Sequence, residues 1–413
     1  HAAAYALVSY QTAFLKANYT VEFMAAIMTL DLTNTDKLHI FKQELINLKI
    51  PVLPPDINKS QVEFSAEVME GVKDEEGYGG TLSDGQMRGV RYGLAGLKNV
   101  GVAAMESLVE EREQNGPFKD LADFCNRVDT RQINKRALEN LIKAGAFDGI
   151  NSNRAQVYSA VEMMLREMSL ATQERNSNQV SLFGDQVEEQ SIVLADVNDW
   201  DLIERLKGEQ EAVGFYLSAH PLDAYTSLLA RQKIVPSREI EDRAAGKGGF
   251  VRLAGTIQGI RRMKSKRGNP YAFLSLSDST GGFEVTLFKE ILEAQDDVLV
   301  NGTSVIISAE VKRSDDGSLR TTAQGLETID NVAMRTGTGL DVYLKDASNL
   351  DAIKEILSNH KNGRGRVTFK MNVRHDDFPE CDVDVELKER YKISPSIRNA
   401  VASLKGVIEA KEI

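Results

Sequence analysis

The stretch Phe250-Val251-Arg252-Leu253-Ala254-Gly255 decides the fold, because the spacing of apolar residues changes here from a helical period to a period of two. The same alternation returns in later stretches, with glycine-bearing turns between them, over residues 272–276, 283–288, 304–307 and 319–323. Alternating apolar and polar residues place one face of a strand in a core. Five short strands that follow one another in this way predict a small closed barrel.

The turn between the first two predicted strands is strongly basic. Its cations are Arg261, Arg262, Lys264, Lys266 and Arg267. This turn is a usual contact surface of the five-stranded oligonucleotide-binding barrel, which is the most economical barrel for the pattern. We expect the cations to follow a phosphate backbone, with Tyr271 or Phe273 stacked on a base. The alternative interpretation is a solvated hairpin tip without a ligand.

The 413-residue chain is too long for one core and divides into regions of different period. Before the barrel, helical segments flank a strand-like, glycine-rich region, and after it a strand, a helix, two strands and a helix follow from Leu340. We therefore predict a multidomain α+β protein. Its expected domains are residues 1–60, 61–172, 173–245, 246–332 and 336–413.

Composition narrows the class of protein. The 42% hydrophobic and 27% charged residues are typical of a globular protein, and no apolar run reaches the roughly 18 residues of a membrane span. Cys125 and Cys381 lie far apart, which favours a reducing cytoplasm. The net charge of −11 argues against a uniformly basic DNA-binding protein. The negative charge is not spread evenly, however, because residues 173–211 alone hold ten acids and only three bases.

Two glycine-bearing loops lie between predicted helices. The first, Gly96-Leu97-Lys98-Asn99-Val100-Gly101, precedes a predicted helix over residues 102–113, and the second is Lys143-Ala144-Gly145-Ala146-Phe147. A helix N-terminus directs backbone N–H groups at an anion, so both loops would bind DNA phosphates without reading bases. The alternative is an ordinary helix–helix turn that ends at glycine. The candidate contacts are Gly96, Lys98, Val100, Gly101, Lys143 and Gly145.

The acidic region contains an apolar pair within Asn178-Gln179-Val180-Ser181-Leu182-Phe183-Gly184-Asp185. Leucine and phenylalanine in a linker are unfavourable in water unless they dock. Gln179 would donate and accept hydrogen bonds in a polar slot, while Leu182 and Phe183 would fill an apolar pocket of a partner. Alternatively, the pair attaches the segment to its own domain.

Motifs that carry chemistry are scarce. Asp382 and Asp384 have the spacing that places two carboxylates on one strand face, as a two-metal site requires. Cys381, Val383 and Val385 alternate with them, however, as in a half-exposed strand. The histidines are scattered, and neither a phosphate-binding P-loop nor a nucleophile motif occurs. We predict no catalytic residue, no metal site and no cofactor in this chain.

Several motifs resemble the C-terminal part of the alpha subunit of bacterial DNA polymerase III, a C-family replicative DNA polymerase, and they follow one another in the same order as in that family. Residues 1–12 resemble the end of its fingers domain, and Val52-Leu53-Pro54-Pro55-Asp56-Ile57-Asn58 resembles its Pro-Pro-Asp turn. Residues 92–101 and 142–148 resemble its tandem helix-hairpin-helix region. Gly214-Phe215-Tyr216-Leu217-Ser218-Ala219-His220-Pro221 is similar to the element before its barrel.

The resemblance implies a role for each part. The hairpins of residues 61–172 would hold primer–template duplex leaving the active site, and the barrel of residues 246–332 would lie toward the single-stranded template. Gln179, Leu182 and Phe183 occupy the place of the internal motif that binds the beta sliding clamp. Residues 336–413 occupy the place where the family binds the tau subunit of the clamp loader.

The resemblance also implies that the magnesium-binding palm precedes His1. The chain would then be part of a longer DNA-directed DNA polymerase, a nucleotidyltransferase of the bacterial cytoplasm and nucleoid, and would not polymerise alone. Mg²⁺ is expected for the parent polymerase only. Two other functions stay open: a stand-alone scaffold that binds single-stranded DNA through the barrel, and a nuclease that uses Asp382 and Asp384.

Overall fold

The chain folds into two compact units, His1–Trp200 with Glu204–Ser218, and Asp201–Ile203 with Ala219–Ile413. Each unit has hydrophobic cores of its own. Every helix in the described ranges is too short or too polar to traverse a lipid bilayer. The computed structural model describes residues 2–73, 85–176, 192, 194–244, 249–265, 268–313, 319–337, 339–375 and 378–413.

The first unit combines helices with a small sheet. The elements in chain order up to Val213 are α1 (Ala2–Asn18), α2 (Thr20–Leu30), α3 (Thr35–Asn47), β1 (Val52–Leu53), β2 (Ser65–Lys73), β3 (Gln86–Arg91), the 3₁₀ helix η1 (Leu94–Gly96), α4 (Val102–Asn115), α5 (Leu121–Arg127), α6 (Lys135–Lys143), α7 (Arg154–Ser159), α8 (Val161–Asn176) and α9 (Leu202–Val213). Strand β3 lies between β1, its parallel partner, and β2, its antiparallel partner.

Short polar side chains begin several of these helices. Asn34, Asp120, Asn134 and Asn153 each accept a hydrogen bond from a backbone N–H three residues later. Such caps satisfy donors that have no partner within the helix. They fix where α3, α5, α6 and α7 begin, and the caps of α6 and α7 thereby help to position the second glycine-bearing loop, which lies between these two helices.

The second unit begins with short helices and a closed barrel. Its elements are η2 (Pro221–Tyr225), α10 (Thr226–Arg231), η3 (Ser237–Glu239), α11 (Ile240–Ala244), β4 (Gly249–Lys264), β5 (Pro270–Asp278), β6 (Gly281–Phe288), α12 (Lys289–Ala294), η4 (Asp296–Val298), β7 (Ser304–Arg313), β8 (Leu319–Thr328) and α13 (Ile329–Arg335). The strand order is β4-β5-β6-β8-β7, closed by the parallel pair Thr286–Thr322 and by the β4–β7 ladder. The predicted five-stranded barrel is confirmed.

The last part of the chain is a small α/β domain. Its elements are β9 (Leu340–Leu344), α14 (Leu350–Ser358), β10 (Lys361–Gly365), β11 (Val367–His375), β12 (Phe378–Glu386), α15 (Pro395–Ala402) and β13 (Val407–Glu412). The sheet has the order β12-β11-β9-β13. Strand β13 was absent from the prediction because it is an edge strand without regular alternation: Ile408 is 69% exposed, and the half-buried residues are Val407, Ala410 and Glu412.

Candidate nucleic-acid interface

Five outward-facing side chains on the barrel form a surface that we call the barrel platform: Arg261, Met263, Tyr271, Phe273 and Phe288. In the β4–β5 ladder, Arg261 lies opposite Phe273 and Met263 opposite Tyr271. In the β5–β6 ladder, Phe288 lies opposite Tyr271. Directly opposed residues of antiparallel strands share a face, and the alternate residues of β5 pack in the barrel core. The five side chains therefore share the outer face of three neighbouring strands.

The platform combines aromatic rings with one cation. The guanidinium carbon of Arg261 lies 4.8 Å from the ring centroid of Phe273. The rings of Tyr271 and Phe273 are 5.5 Å apart at an angle of 80°, and the Tyr271 hydroxyl lies 3.7 Å from Met263 Sδ. Phe288 is 52% exposed and Met263 is 42% exposed. Such a surface offers unpaired bases a stacking face and offers a phosphate one positive charge.

Two platform members, Met263 and Phe288, were not among the predicted site residues. Phe288 ends a predicted strand in which Val285 and Leu287 are buried, so alternation would have placed it on the outer face. Met263 gave no such signal, because its face depends on an irregularity of β4 that the sequence does not reveal.

The basic residues do not form one loop, contrary to the expectation from the sequence. Arg261, Arg262 and Lys264 belong to β4, and Tyr271 belongs to β5, because the ladder between the two strands continues to the last residue of β4. Consecutive side chains of a strand point to opposite faces. Arg262 therefore leaves the platform, and its Nη2 lies 2.5 Å from Asp296 Oδ1. The side chain of Lys264 is exposed.

The first glycine-bearing loop presents an exposed helix N-terminus. Gly101 precedes α4, provides no capping side chain, and a Cβ built there would meet no atom within 4 Å. The first turn of α4 contains no acidic residue. Lys98 and Asn99 beside it are exposed, and no carboxylate of the described residues lies within ion-pair distance of Lys98. An anion can therefore approach these backbone N–H groups.

The other predicted residues of this loop lie inside the protein. Gly96 is buried, and a Cβ there would lie 3.0 Å from Cε1 of Tyr92. Val100 is 8% exposed and belongs to the core of the first unit. The backbone N–H of Lys98 donates to the Ala212 carbonyl at 2.8 Å. Gly96 and Val100 therefore position the loop, and the exposed groups of Lys98 and Gly101 remain for a ligand.

The second loop is occupied by side chains of the protein itself. Gly145 adopts a φ of +86°, and a Cβ there would lie 2.2 Å from Nη2 of Arg154. Lys143 Nζ lies 2.8 Å from Glu211 Oε2 and 5.4 Å from the ring centroid of Tyr158. Burial alone would lower the pKa of Lys143, but the hydrogen bond and charge of Glu211 raise it above its ordinary value. Of the two loops, the first is the open one.

A buried ion pair lies behind Gly145. Arg154, only 5% exposed, has Nη2 at 2.8 Å from Asp148 Oδ2 and Nη1 at 3.1 Å from Glu209 Oε1. Glu209 is 1% exposed and also accepts the backbone N–H of Ser218 at 2.9 Å. Burial lowers the pKa of the Arg154 guanidinium, but its hydrogen bonds and the charges of Asp148 and Glu209 outweigh burial and raise the pKa. The ion pair fixes the loop to α9.

Other predicted site residues lie outside the described residues. They are Gln179, Leu182 and Phe183 of the apolar motif, and Lys266 and Arg267, which lie between β4 and β5 in the sequence.

The two carboxylates of β12 contact the neighbouring strand. Asp384 Oδ2 lies 3.0 Å from Lys370 Nζ, and Asp382 Oδ1 accepts a hydrogen bond from Asn372 Nδ2 at 3.0 Å. These are directly opposed pairs in the β11–β12 ladder. Within the described part of the chain, no three His, Cys, Asp or Glu side chains are grouped to hold a metal ion. The contacts are those of a half-exposed strand.

The fold combines a helical domain that carries glycine-bearing loops with a five-stranded barrel, two kinds of module that occur in nucleic-acid-binding proteins. A family described as a helix-hairpin-helix motif matches residues 49–157. A family described as an OB-fold nucleic acid binding domain matches residues 251–329. The expected combination of hairpin domain and oligonucleotide-binding barrel is thereby confirmed.

Over its full length the chain is similar to curated alpha subunits of DNA polymerase III. It is 36% identical over 415 residues to that of Caulobacter vibrioides, and 31% identical over 424 residues to that of Escherichia coli K12. Each match covers 100% of this chain and 34% of the relative, so the chain spans about a third of the length of these relatives. The sequence-based recognition is confirmed: the chain matches a C-terminal portion of the DNA polymerase III alpha subunit.

One solved structure with a partial likeness is a mitochondrial single-stranded DNA-binding protein of S. cerevisiae, Rim1. It is 13% identical, and the match covers 20% of this chain and 94% of Rim1 with a TM-score of 0.19.

Proposed function

We propose that this chain holds primer–template DNA and a sliding clamp for a DNA-directed DNA polymerase, and so supports processive synthesis. The observation that carries the proposal is the barrel platform, where Tyr271, Phe273 and Phe288 offer stacking faces beside the Arg261 guanidinium. Single-stranded DNA is bound in this way without sequence preference, because every base has a π-face. A polymerase that copies any template requires a contact of this kind.

The first glycine-bearing loop supplies the proposed contact to duplex DNA. The free N–H groups at the start of α4 and the ammonium group of Lys98 suit a phosphate oxygen, and no acidic residue in that turn opposes it. Phosphate contacts position a duplex without reading its sequence. Lys143 and Gly145 of the second loop contribute chiefly by holding the fold, because Glu211 and Arg154 already occupy them.

The proposed clamp contact is the motif of Gln179, Leu182 and Phe183. A short linear motif binds weakly, because the segment loses conformational freedom when it docks. Weak binding is sufficient here, since DNA contacts of the same chain raise the effective concentration of the motif at the clamp. Processivity would then result from avidity between the clamp and the DNA contacts.

The last domain is the proposed site for the tau subunit of the clamp loader. It has an open groove of about 530 Å³, lined by apolar side chains that include Phe369, Met371 and the 49%-exposed Val385. Lys354 and Lys388 lie at the same groove. Apolar grooves with a charged rim suit an amphipathic segment of a partner protein.

The chemistry of polymerisation is proposed to reside in the part of the relatives that this chain does not span. Mg²⁺ would then be bound by that part, and this chain alone would neither incorporate nucleotides nor cleave DNA. We place the parent polymerase in the bacterial cytoplasm, at the nucleoid.

The DNA contacts are tested by fluorescence anisotropy with single-stranded and duplex oligonucleotides. A variant with Arg261→Ser, Arg262→Ser, Lys264→Ser and Lys266→Ser is expected to lose affinity for single strands and to keep duplex binding. A Lys98→Ala variant is expected to lose affinity for duplex DNA and to keep its affinity for single strands. Loss of all DNA binding in the first variant would favour the stand-alone single-strand scaffold instead.

The clamp contact is tested by titrating the chain with purified sliding clamp. The triple variant Gln179→Ala, Leu182→Ala and Phe183→Ala is expected to lose binding, whereas Val180→Ala between them serves as the control. Equal affinity of wild type and triple variant would remove the clamp from the proposed function and leave the DNA contacts untouched.

A further inference from the structure

A cationic groove lies beside the first residues of β4, at the opposite end of this strand from the barrel platform. It has a volume of about 550 Å³ and is lined by the end of α10, the residues after it, α11 and the start of β4. Four cations line it, Arg231, Lys233, Arg243 and Arg252, and no carboxylate is among its described lining residues. Arg231 also acts electrostatically on the carboxyl of Glu412.

The other cations of the groove have few acidic partners. Arg252 Nη1 donates a hydrogen bond to Gln232, which is neutral. Arg243 lies 3.9 Å from Glu239, and both side chains of this pair are exposed. Lys233 adopts a φ of 53° and has no carboxylate within ion-pair distance in the described part of the chain. Exposed pairs of this kind are weak, so these charges are available to an anion.

Phe250 stands among these cations. Its side chain is 77% exposed, one of the most exposed large apolar side chains among the described residues. Leu253 packs in the barrel core, so Phe250 and Arg252 point outward on the opposite face of β4. Glu310, opposite Phe250 on β7, is paired with Lys312 at 2.6 Å. An exposed phenyl ring is unfavourable in water, and a flat ligand would cover it.

We infer that this groove binds single-stranded DNA, with backbone phosphates on its cations and one unpaired base stacked on Phe250. The inference rests on the proposed function, which brings single-stranded template to the barrel. It adds a second contact at the other end of β4, so that a strand bound on the platform is held at two points. The two sites lie on the same β-strand, β4. Once the DNA is bound at one site, its binding at the other is intramolecular, so the two contacts reinforce each other.

The combination of groups selects the ligand. A free phosphate would use the cations but leave Phe250 in water. A duplex keeps its bases stacked inside the helix and would offer Phe250 no face. An unpaired nucleotide supplies both the phosphate and the base face, as in other grooves for single strands that combine cations with aromatic side chains.

The test measures the affinity of the full chain for a fluorescent oligothymidine at several salt concentrations. Phe250→Ala is expected to weaken binding about 5- to 150-fold, the effect of removing one stacked base. Lys233→Asn with Arg243→Gln is expected to reduce the slope of log K against log salt by about 0.7 for each phosphate that is no longer neutralised. Asparagine is chosen at Lys233 because it tolerates a positive φ. Lys392→Asn, an exposed cation outside the groove, is the control.

Duplex DNA of the same length is expected to bind the Phe250→Ala variant and wild type equally. If both groove variants bind oligothymidine like wild type, while the platform variant Phe273→Leu with Phe288→Leu loses affinity, the groove inference is wrong and the proposed function stands. A Phe250→Ala effect of the same size on duplex would also overturn the inference. If the platform variant too binds like wild type, the proposed function fails with it.

Discussion

The guanidinium of Arg261 lies over the ring of Phe273, with its central carbon 4.8 Å from the ring centroid. Oε2 of Glu284 lies 3.7 Å from Nη2 of the same guanidinium, and both side chains of this ion pair are exposed. The aromatic contact therefore holds the cation in place while its acidic partner is readily exchanged. A DNA phosphate can replace Glu284 as the partner, and Arg261 need not leave the ring.

The first prediction concerns the aromatic rings of the platform. Replacement of Phe273 and Phe288 by leucine keeps apolar bulk on the strands but removes two flat faces. We expect affinity for single-stranded DNA to fall by about 1–3 kcal/mol for each base that no longer stacks, with duplex affinity unchanged. Anisotropy titrations at fixed salt measure the effect. Ile408→Ala, a change of an exposed apolar residue in the last domain, should leave both affinities as they are.

The barrel itself was predictable because buried apolar residues recur at a period of two within single strands, as Ala272, Leu274 and Leu276 do in β5. The sequence could not predict which face of a strand is occupied by each residue outside the barrel core. A bulge between Ile257 and Gly259 inserts one residue into β4 and exchanges its two faces. Simple counting from Leu253 would therefore point the wrong residues of the basic stretch outward.

The two glycine-bearing loops illustrate a second limit. Both loops have glycine in the turn between two helices, and the same physical argument predicts a phosphate site at each of them. The occupant of the second loop is Arg154, whose partner Glu209 is 55 residues further along the chain. A contact between residues so distant in sequence leaves no local pattern, so the sequence could not distinguish an open loop from an occupied one.

The second prediction concerns Gly145. Alanine there would combine a positive φ with a Cβ only 2.2 Å from the buried Arg154 guanidinium. Gly116, with a φ of +84° and no atom within 4 Å of its would-be Cβ, is the matched control for backbone strain alone. In urea unfolding we expect Gly116→Ala to cost about 1–2 kcal/mol and Gly145→Ala about 3 kcal/mol or more. Equal costs would mean that Arg154 moves aside freely.

The third prediction concerns the two thiols. Cys125 is 1% exposed, and burial, aided by the charges of Glu167 and Asp120, raises its pKa to about 12, whereas Cys381 is exposed. Thiolates are the reactive form. At pH 8 we expect a thiol reagent to label Cys381 in the native chain and to reach Cys125 only after unfolding. Mass spectrometry of the labelled peptides identifies the site, and rapid native labelling of Cys125 would contradict its burial.

The same shift has a consequence for stability. The unfolded chain releases the Cys125 proton near pH 9, whereas the folded chain retains it up to about pH 12. The stabilisation that results from the raised pKa of Cys125 is therefore complete below pH 9. The free energy of unfolding falls as the pH rises from about 9 to about 12. Cys125→Ala should remove this part of the alkaline loss. The part due to Tyr92 and Tyr225, whose pKa values burial also raises, should remain.

The last prediction concerns the buried pair of Arg154 and Glu209. Glu209→Ala removes one of the two carboxylate partners of the buried Arg154 guanidinium and also the acceptor of the Ser218 N–H. It should therefore lower the free energy of unfolding by about 3 kcal/mol, the lower end of the cost of breaking a buried ion pair. Glu211→Ala, which removes the exposed partner of Lys143 on the same helix, should cost less than about 1 kcal/mol. Urea unfolding of the full chain measures both.

A double variant separates the charge from the packing. In Arg154→Met with Glu209→Leu no charge of this pair is left unpaired, so we expect it to be more stable than Glu209→Ala, although it carries one more substitution. Because Arg154 also bonds Asp148, part of the loss should persist. If the double variant is instead less stable than both wild type and Glu209→Ala, the hydrogen bonds of Arg154 and Glu209 matter more than the balance of their charges. The Gly145 loop would then be held in place by these directional hydrogen bonds.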